Sequence, residues 1–134
     1  MSRALASAAW LACGACAAQT CGERLAGPVR SIESAHYVVA YSTAPPRLSV
    51  SQHFTLDFAV CPRDGGPMPD SVRVDASMPA HRHGMNYRPG IVAAGAGMWH
   101  AEGMLFHMAG HWEITFDLVR GATAERLVTG VDVE

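Results

Sequence analysis

Beyond residue 34 the chain alternates apolar and polar positions with a period of two, which places successive side chains on opposite faces of a strand. The clearest case is 52–60, where Phe54, Leu56, Phe58 and Val60 interleave with Thr55, Asp57 and Ala59. Residues 71–78 repeat the pattern, with Val72, Val74, Ala76 and Met78 inward and Arg73, Asp75 and Ser77 outward. In 112–119 the inward set is Trp112, Ile114, Phe116 and Leu118, and 125–133 adds Leu127, Val131 and Val133. Residues 34–42 read as a first strand, ended by Ala44-Pro45-Pro46, and 48–50 as a short edge piece. Asp64-Gly65-Gly66-Pro67 marks a loop. Residues 91–94 and 98–103 form a hairpin around Gly95-Ala96-Gly97. No stretch beyond the N-terminal leader has a convincing helical period, and no internal repeat is found. The pattern predicts an all-β fold: a single antiparallel β-sandwich of about seven strands, immunoglobulin-like in type.

A chain of 134 residues is one domain, long enough to bury a core of its own. The N-terminus departs from the strand pattern. Arg3 precedes a short apolar run over 4–12, and Ala15-Cys16-Ala17 offers a small-residue cleavage site. This is the layout of a signal peptide over 1–18, followed by a lead-in over 19–33, expected to be poorly ordered, and the domain over 34–134. The apolar run is too short to span a bilayer. The expected location is therefore exported and periplasmic, with lipidation at Cys13 or Cys16 as an alternative anchor. Of four cysteines, Cys21 and Cys61 lie outside the leader. An oxidising compartment permits them to pair, and their spacing leaves both the disulfide and two free thiols open.

The net charge of −2 gives no electrostatic case for nucleic acid or an anionic membrane as partner. All basic side chains are arginine, which excludes a Schiff-base lysine. No nucleophile elbow, paired carboxylates or phosphate-binding glycine loop is present.

The distinctive chemistry is in two strings: Met78-Pro79-Ala80-His81-Arg82-His83-Gly84-Met85, and Met104-Leu105-Phe106-His107-Met108-Ala109-Gly110-His111. His81 and His83 stand two apart, so an extended backbone would turn both imidazoles to one side. Imidazole nitrogen and thioether sulfur together suit copper, Cu(I) more than Cu(II). Zinc would more often recruit cysteine or carboxylate. The candidate metal ligands are His81, His83, Met85, His107 and Met108. Met78 falls in the core phase of its strand. His36 and His53 are expected to face solvent or pack, and His100 is ambiguous. The blander alternative is that the methionines fill the core and the histidines hold loop backbone.

With these two strings the chain resembles YtkA-like proteins, small exported bacterial β-sandwich domains related in style to FixH-like domains. The resemblance covers roughly 35–134 and rests on Met-Pro-x-His-x-His-Gly-Met and Phe-His-Met-x-Gly-x-Trp. It implies an accessory protein of copper handling or respiratory-enzyme maturation, and it points to the same five residues. The expectation is therefore a non-enzymatic copper chaperone, buffer or delivery factor serving a periplasmic or membrane copper acceptor. The alternative is a protein-interaction module whose methionine-rich loops, with Met98, Trp99 and Met104, contact a partner. A copper redox or electron-transfer protein is disfavoured, because a blue-copper centre needs a ligating cysteine and neither string has one.

Overall fold

A computed structural model describes residues 20–134; the leader expected over 1–18 lies outside the described residues. Nine strands form two antiparallel sheets: β1 (Arg30–Glu33), β2 (Tyr37–Ala44), β3 (His53–Pro62), β4 (Ser71–Met78), β5 (His83–Gly84), β6 (Gly90–Gly95), β7 (Met98–Leu105), β8 (Gly110–Arg120) and β9 (Thr123–Val133). One sheet has the order β1-β2-β3-β7-β6 and the other β5-β4-β8-β9. The chain is all-β, and the two sheets make a β-sandwich.

The period-two pattern explains how the faces meet. Tyr41, Phe54, Leu56 and Phe58 from the first sheet are buried with Val74, Ile114, Phe116 and Leu118 from the second. The ring of Phe116 lies 5.3 Å from Phe58 and 5.6 Å from Tyr41, so aromatic contacts join the layers. Burying these side chains is the main favourable term in folding.

The strand at 71–78 and the hairpin about Ala96 and Gly97 fall where the pattern put them. Three other expectations differ. Residues 48–50 form no strand but a turn leading into β3. The first strand starts at Tyr37, because Ser34 bonds the Tyr37 backbone and closes a turn before it. The lead-in is not a loose appendage. Its last residues form β1 paired to β2, and Leu25 is buried.

The Cys21–Cys61 disulfide ties this segment to the end of β3, with 5.9 Å between Cα atoms. Gly22 has φ +83° and passes so close to Ala40 that a Cβ there would stand 2.5 Å from the alanine methyl. Only glycine lets the segment lie this flat on the outer face of the sheet.

The sandwich has two distinct ends. His53 pairs with Leu105 at one, and Ala59 with Met98 near the other. The disulfide lies at the second end. The connection from β7 to β8 and the end of β4 lie at the first, and both histidine-methionine strings are there.

Candidate metal centre

The first string folds as a tight reversal. Met78 ends β4 fully buried. Pro79 then occupies the first position of a one-turn 3₁₀ helix, Pro79–His81, where its fixed φ and missing N–H carry no penalty. Arg82 follows in the left-handed region, φ 54° and ψ 38°, and turns the chain back. β5 runs antiparallel to β4, with Met78 opposite His83 and Ser77 opposite Gly84. The Met85 N–H continues the ladder to the Ala76 carbonyl at 3.2 Å. The expected extended His-Arg-His segment is therefore not found: the residues fold as a hairpin, because a 3₁₀ turn followed by a left-handed residue reverses the chain. His81 and His83 nonetheless remain neighbours, with ring centroids 5.8 Å apart.

The second string supplies the rest. Met104 and Leu105 belong to β7, so the loop proper is residues 106–109. It is pinned at both ends. The Ser51 N–H donates to the Phe106 carbonyl at 2.8 Å, and the Trp112 indole N–H to the Met108 carbonyl at 3.0 Å. Phe106 stacks on Trp112 with centroids 4.7 Å apart and planes 21° apart. Gly110 has φ +130°, and a Cβ there would stand 2.5 Å from Cε of Met78, so this glycine lets the two strings close together.

The His83 and His107 rings meet at 4.9 Å between centroids. Both rest edge-on against the wholly buried Trp112, at 5.7 and 5.4 Å. Nε2 of His83 and Nδ1 of His107 are buried and have no hydrogen-bond partner. A buried nitrogen left this way costs about 1–3 kcal/mol, so it calls for an explanation. His83 Nδ1 lies 3.2 Å from the Gly84 carbonyl. Placing the ring proton in that bond leaves Nε2 as a bare lone pair, the arrangement by which a backbone carbonyl fixes the tautomer of a metal-ligating histidine. With metal–nitrogen bonds of about 2.0–2.1 Å, two imidazoles sharing an ion hold their centroids roughly 5–6 Å apart.

The remaining histidines behave differently. His36 bonds Glu125, His100 bonds Asp57 at 2.6 Å and His111 bonds Asp132 at 2.7 Å, each through Nδ1. His53 lies beside Tyr87, centroids 6.3 Å apart. Among the described residues, then, three histidines are engaged by carboxylates, while His81 and His107 each neighbour His83 and none of these three bonds a carboxylate. His36 also shapes the one shifted carboxyl group: the Ser34 hydroxyl first, and His36 after it, hold Glu125 below the usual carboxylate range against a smaller opposing effect of burial.

Met85 and Met108 are half-buried and pack against the core. Met78 and Met104 are core residues, as the phase of Met78 predicted, and the burial of Met104 removes it from any partner-facing surface. No three His, Cys, Asp or Glu side chains come together as a metal-holding group among the described residues. Any ion held here would need thioether sulfur to complete its shell, a soft donor set that suits copper over zinc. Trp112, the floor of the site, was read from the sequence only as an inward strand residue. The indole N–H within a buried position was the available clue, since such a group needs an acceptor.

The chain matches no family model and no curated protein. Its fold is similar to the crystal structure of a DUF4426 family protein from Pseudomonas aeruginosa PAO1, with a TM-score of 0.50 and 9% identity over 78% of this chain and 93% of that one. At that identity the likeness speaks for the sandwich fold alone.

Proposed function

We propose that this protein is an exported, non-enzymatic copper-binding accessory factor that holds Cu(I) between the β4–β5 reversal and the β7–β8 loop. One observation carries the reading: in two imidazole rings whose centroids stand 4.9 Å apart, His83 Nε2 and His107 Nδ1 are buried and without hydrogen-bond partners. The thioethers of Met85 and Met108 are the further ligands, with His81 as an entry ligand outside the resting set. His81 is exposed at the rim, which suits handover of the ion to an acceptor. The apolar leader and the Cys21–Cys61 disulfide support a periplasmic setting. In the same reading the sandwich is immunoglobulin-like. The orders β2-β3-β7-β6 and β5-β4-β8-β9 correspond to A-B-E-D and C′-C-F-G, with β1 as an added edge piece.

The test is an anaerobic Cu(I) titration against a chromophoric chelator. One-to-one binding that disappears in the doubly substituted His83→Ala, His107→Ala protein, with its melting curve retained, establishes the site. Binding no better than the chelator's, or binding unaffected by the double substitution, refutes it.

The second reading is a protein-interaction module. It is favoured by the exposure of Val92 (59%) on the edge strand β6 and of Tyr87 (54%) just before it. Under that reading the same double substitution leaves partner capture intact.

A further inference from the structure

The seam between β1–β2 and β9 is polar where the strand phase calls for core. Tyr41 faces inward, and Arg30 is its direct partner on β1, so the two side chains project to the same face. Thr43 follows Tyr41 by two residues and shares that face. Across the gap, Thr129 lies in phase with the buried Leu127, Val131 and Val133 of β9. The Tyr41 hydroxyl and the Thr129 hydroxyl meet at 2.9 Å. Arg47, from the turn between β2 and β3, closes the groove, whose volume is about 520 Å³.

Neither Arg30 nor Arg47 has a carboxylate partner among the described residues. Asp132 lies on the rim, but its oxygen accepts from His111 Nδ1 at 2.7 Å. The groove is therefore lined by two arginines and three hydroxyl-bearing residues, Tyr41, Thr43 and Thr129, with Asp132 at its rim turned to His111. Guanidinium forks match the oxygens of a tetrahedral oxyanion, and hydroxyls donate to those left over. Two positive charges call for a group carrying up to two negative ones.

We propose that this seam is a binding site for a phosphate group, with Arg30 and Arg47 as its charged clamp and Thr43 and Thr129 as neutral donors. The site is independent of the histidine cluster: His83 belongs to β5, at the opposite edge of its sheet from β9.

The probe is inorganic phosphate, added to the purified protein and followed by ¹H–¹⁵N NMR against chloride at equal ionic strength. Saturable shifts at Thr43 and Thr129 are expected. Arg47→Gln, an exposed loop change, should weaken binding roughly tenfold or more. Arg30→Gln should do the same if the edge strand stays folded, and Arg47→Gln decides the matter if it does not. A parallel arm uses phosphatidylglycerol against phosphatidylcholine vesicles. Sedimentation with the anionic vesicles that Arg47→Gln abolishes assigns the phosphate to a lipid headgroup, and free phosphate alone assigns it to a soluble ligand. Two results overturn the proposal. One is shifts that match chloride with no vesicle binding. The other is phosphate binding that is indifferent to Arg47→Gln, which leaves Arg30 as an inward-pointing charge that blocks edge-to-edge pairing.

Discussion

His83 and His107 hold their rings 4.9 Å apart, and each ring carries a buried nitrogen with no hydrogen-bond partner. In the metal-free protein this pair is a net cost, because each nitrogen has given up water and gained nothing. His107→Leu should therefore leave the metal-free protein unchanged or raise its stability by about 1 kcal/mol. The same substitution should remove most of the stabilisation that Cu(I) confers. Denaturation curves with and without Cu(I) check both halves. A metal-free protein destabilised by several kcal/mol would show that His107 holds the loop rather than a ligand.

Trp112 is the floor on which both rings stand. Trp112→Phe keeps the stack on Phe106 but leaves the Met108 carbonyl without its donor, which should cost about 1–2 kcal/mol. Trp112→Ala opens a cavity and should cost about 3–5 kcal/mol. With its rings in contact with His83 and His107, the indole should also report the ion. Cu(I) addition should change the fluorescence of the wild type, and Trp112→Phe should lose that response while still binding.

The sandwich was legible because alternation in β3, β4 and β8 sets which face is buried, and burial dominates the energetics. Strand ends were less so. The start of β2 depends on the Ser34 side chain bonding the Tyr37 N–H three residues beyond the expected boundary, a local competition that periodicity does not encode. Of the candidate site, the residues were legible by type: soft ligands crowded into two strings. Their arrangement was not. The contact of His81 with His83 comes from a left-handed Arg82 rather than an extended strand, and the meeting with His107 depends on Gly110 yielding to Met78. The phosphate groove was invisible because its members are far apart in sequence and each is ordinary alone.

Arg82 occupies the left-handed region, φ 54°, where a side chain costs roughly 1–2 kcal/mol. Arg82→Gly relieves that strain but adds freedom to the unfolded chain, worth about 0.5–1 kcal/mol. The net expectation is a gain of about 0.5–1 kcal/mol with Cu(I) affinity retained, read as a rise in denaturation midpoint at unchanged slope. A fall in affinity would show that the Arg82 side chain takes part in the site.

The Cys21–Cys61 bond closes a loop with a sequence separation of 40. Loops of this length lower the entropy of the unfolded chain enough to stabilise by about 2–4 kcal/mol. Reduction, or Cys21→Ala with Cys61→Ala, should lower stability by that amount. It should leave Cu(I) binding in place, because the disulfide lies at the end of β3 away from the histidines. Coupled loss of the two would mean the ends of the sandwich communicate.

Glu125 clamps the turn before β2 to β9, accepting from the Ser34 hydroxyl and lying against His36. These contacts favour its charged form and hold it below the ordinary carboxyl value of about 4.3. The sign follows from proton counting. Between the lowered folded value and the unfolded one, the unfolded chain binds more protons, so stability rises with pH through that interval. The contribution is complete above the unfolded value and disappears as pH falls through the folded value. The wild type should therefore lose stability on acidification below about pH 4 more steeply than Glu125→Gln, and above that pH should be the more stable of the two. Parallel acid-unfolding curves that differ only by a constant offset would show that the carboxylate charge of Glu125 contributes nothing beyond its shape.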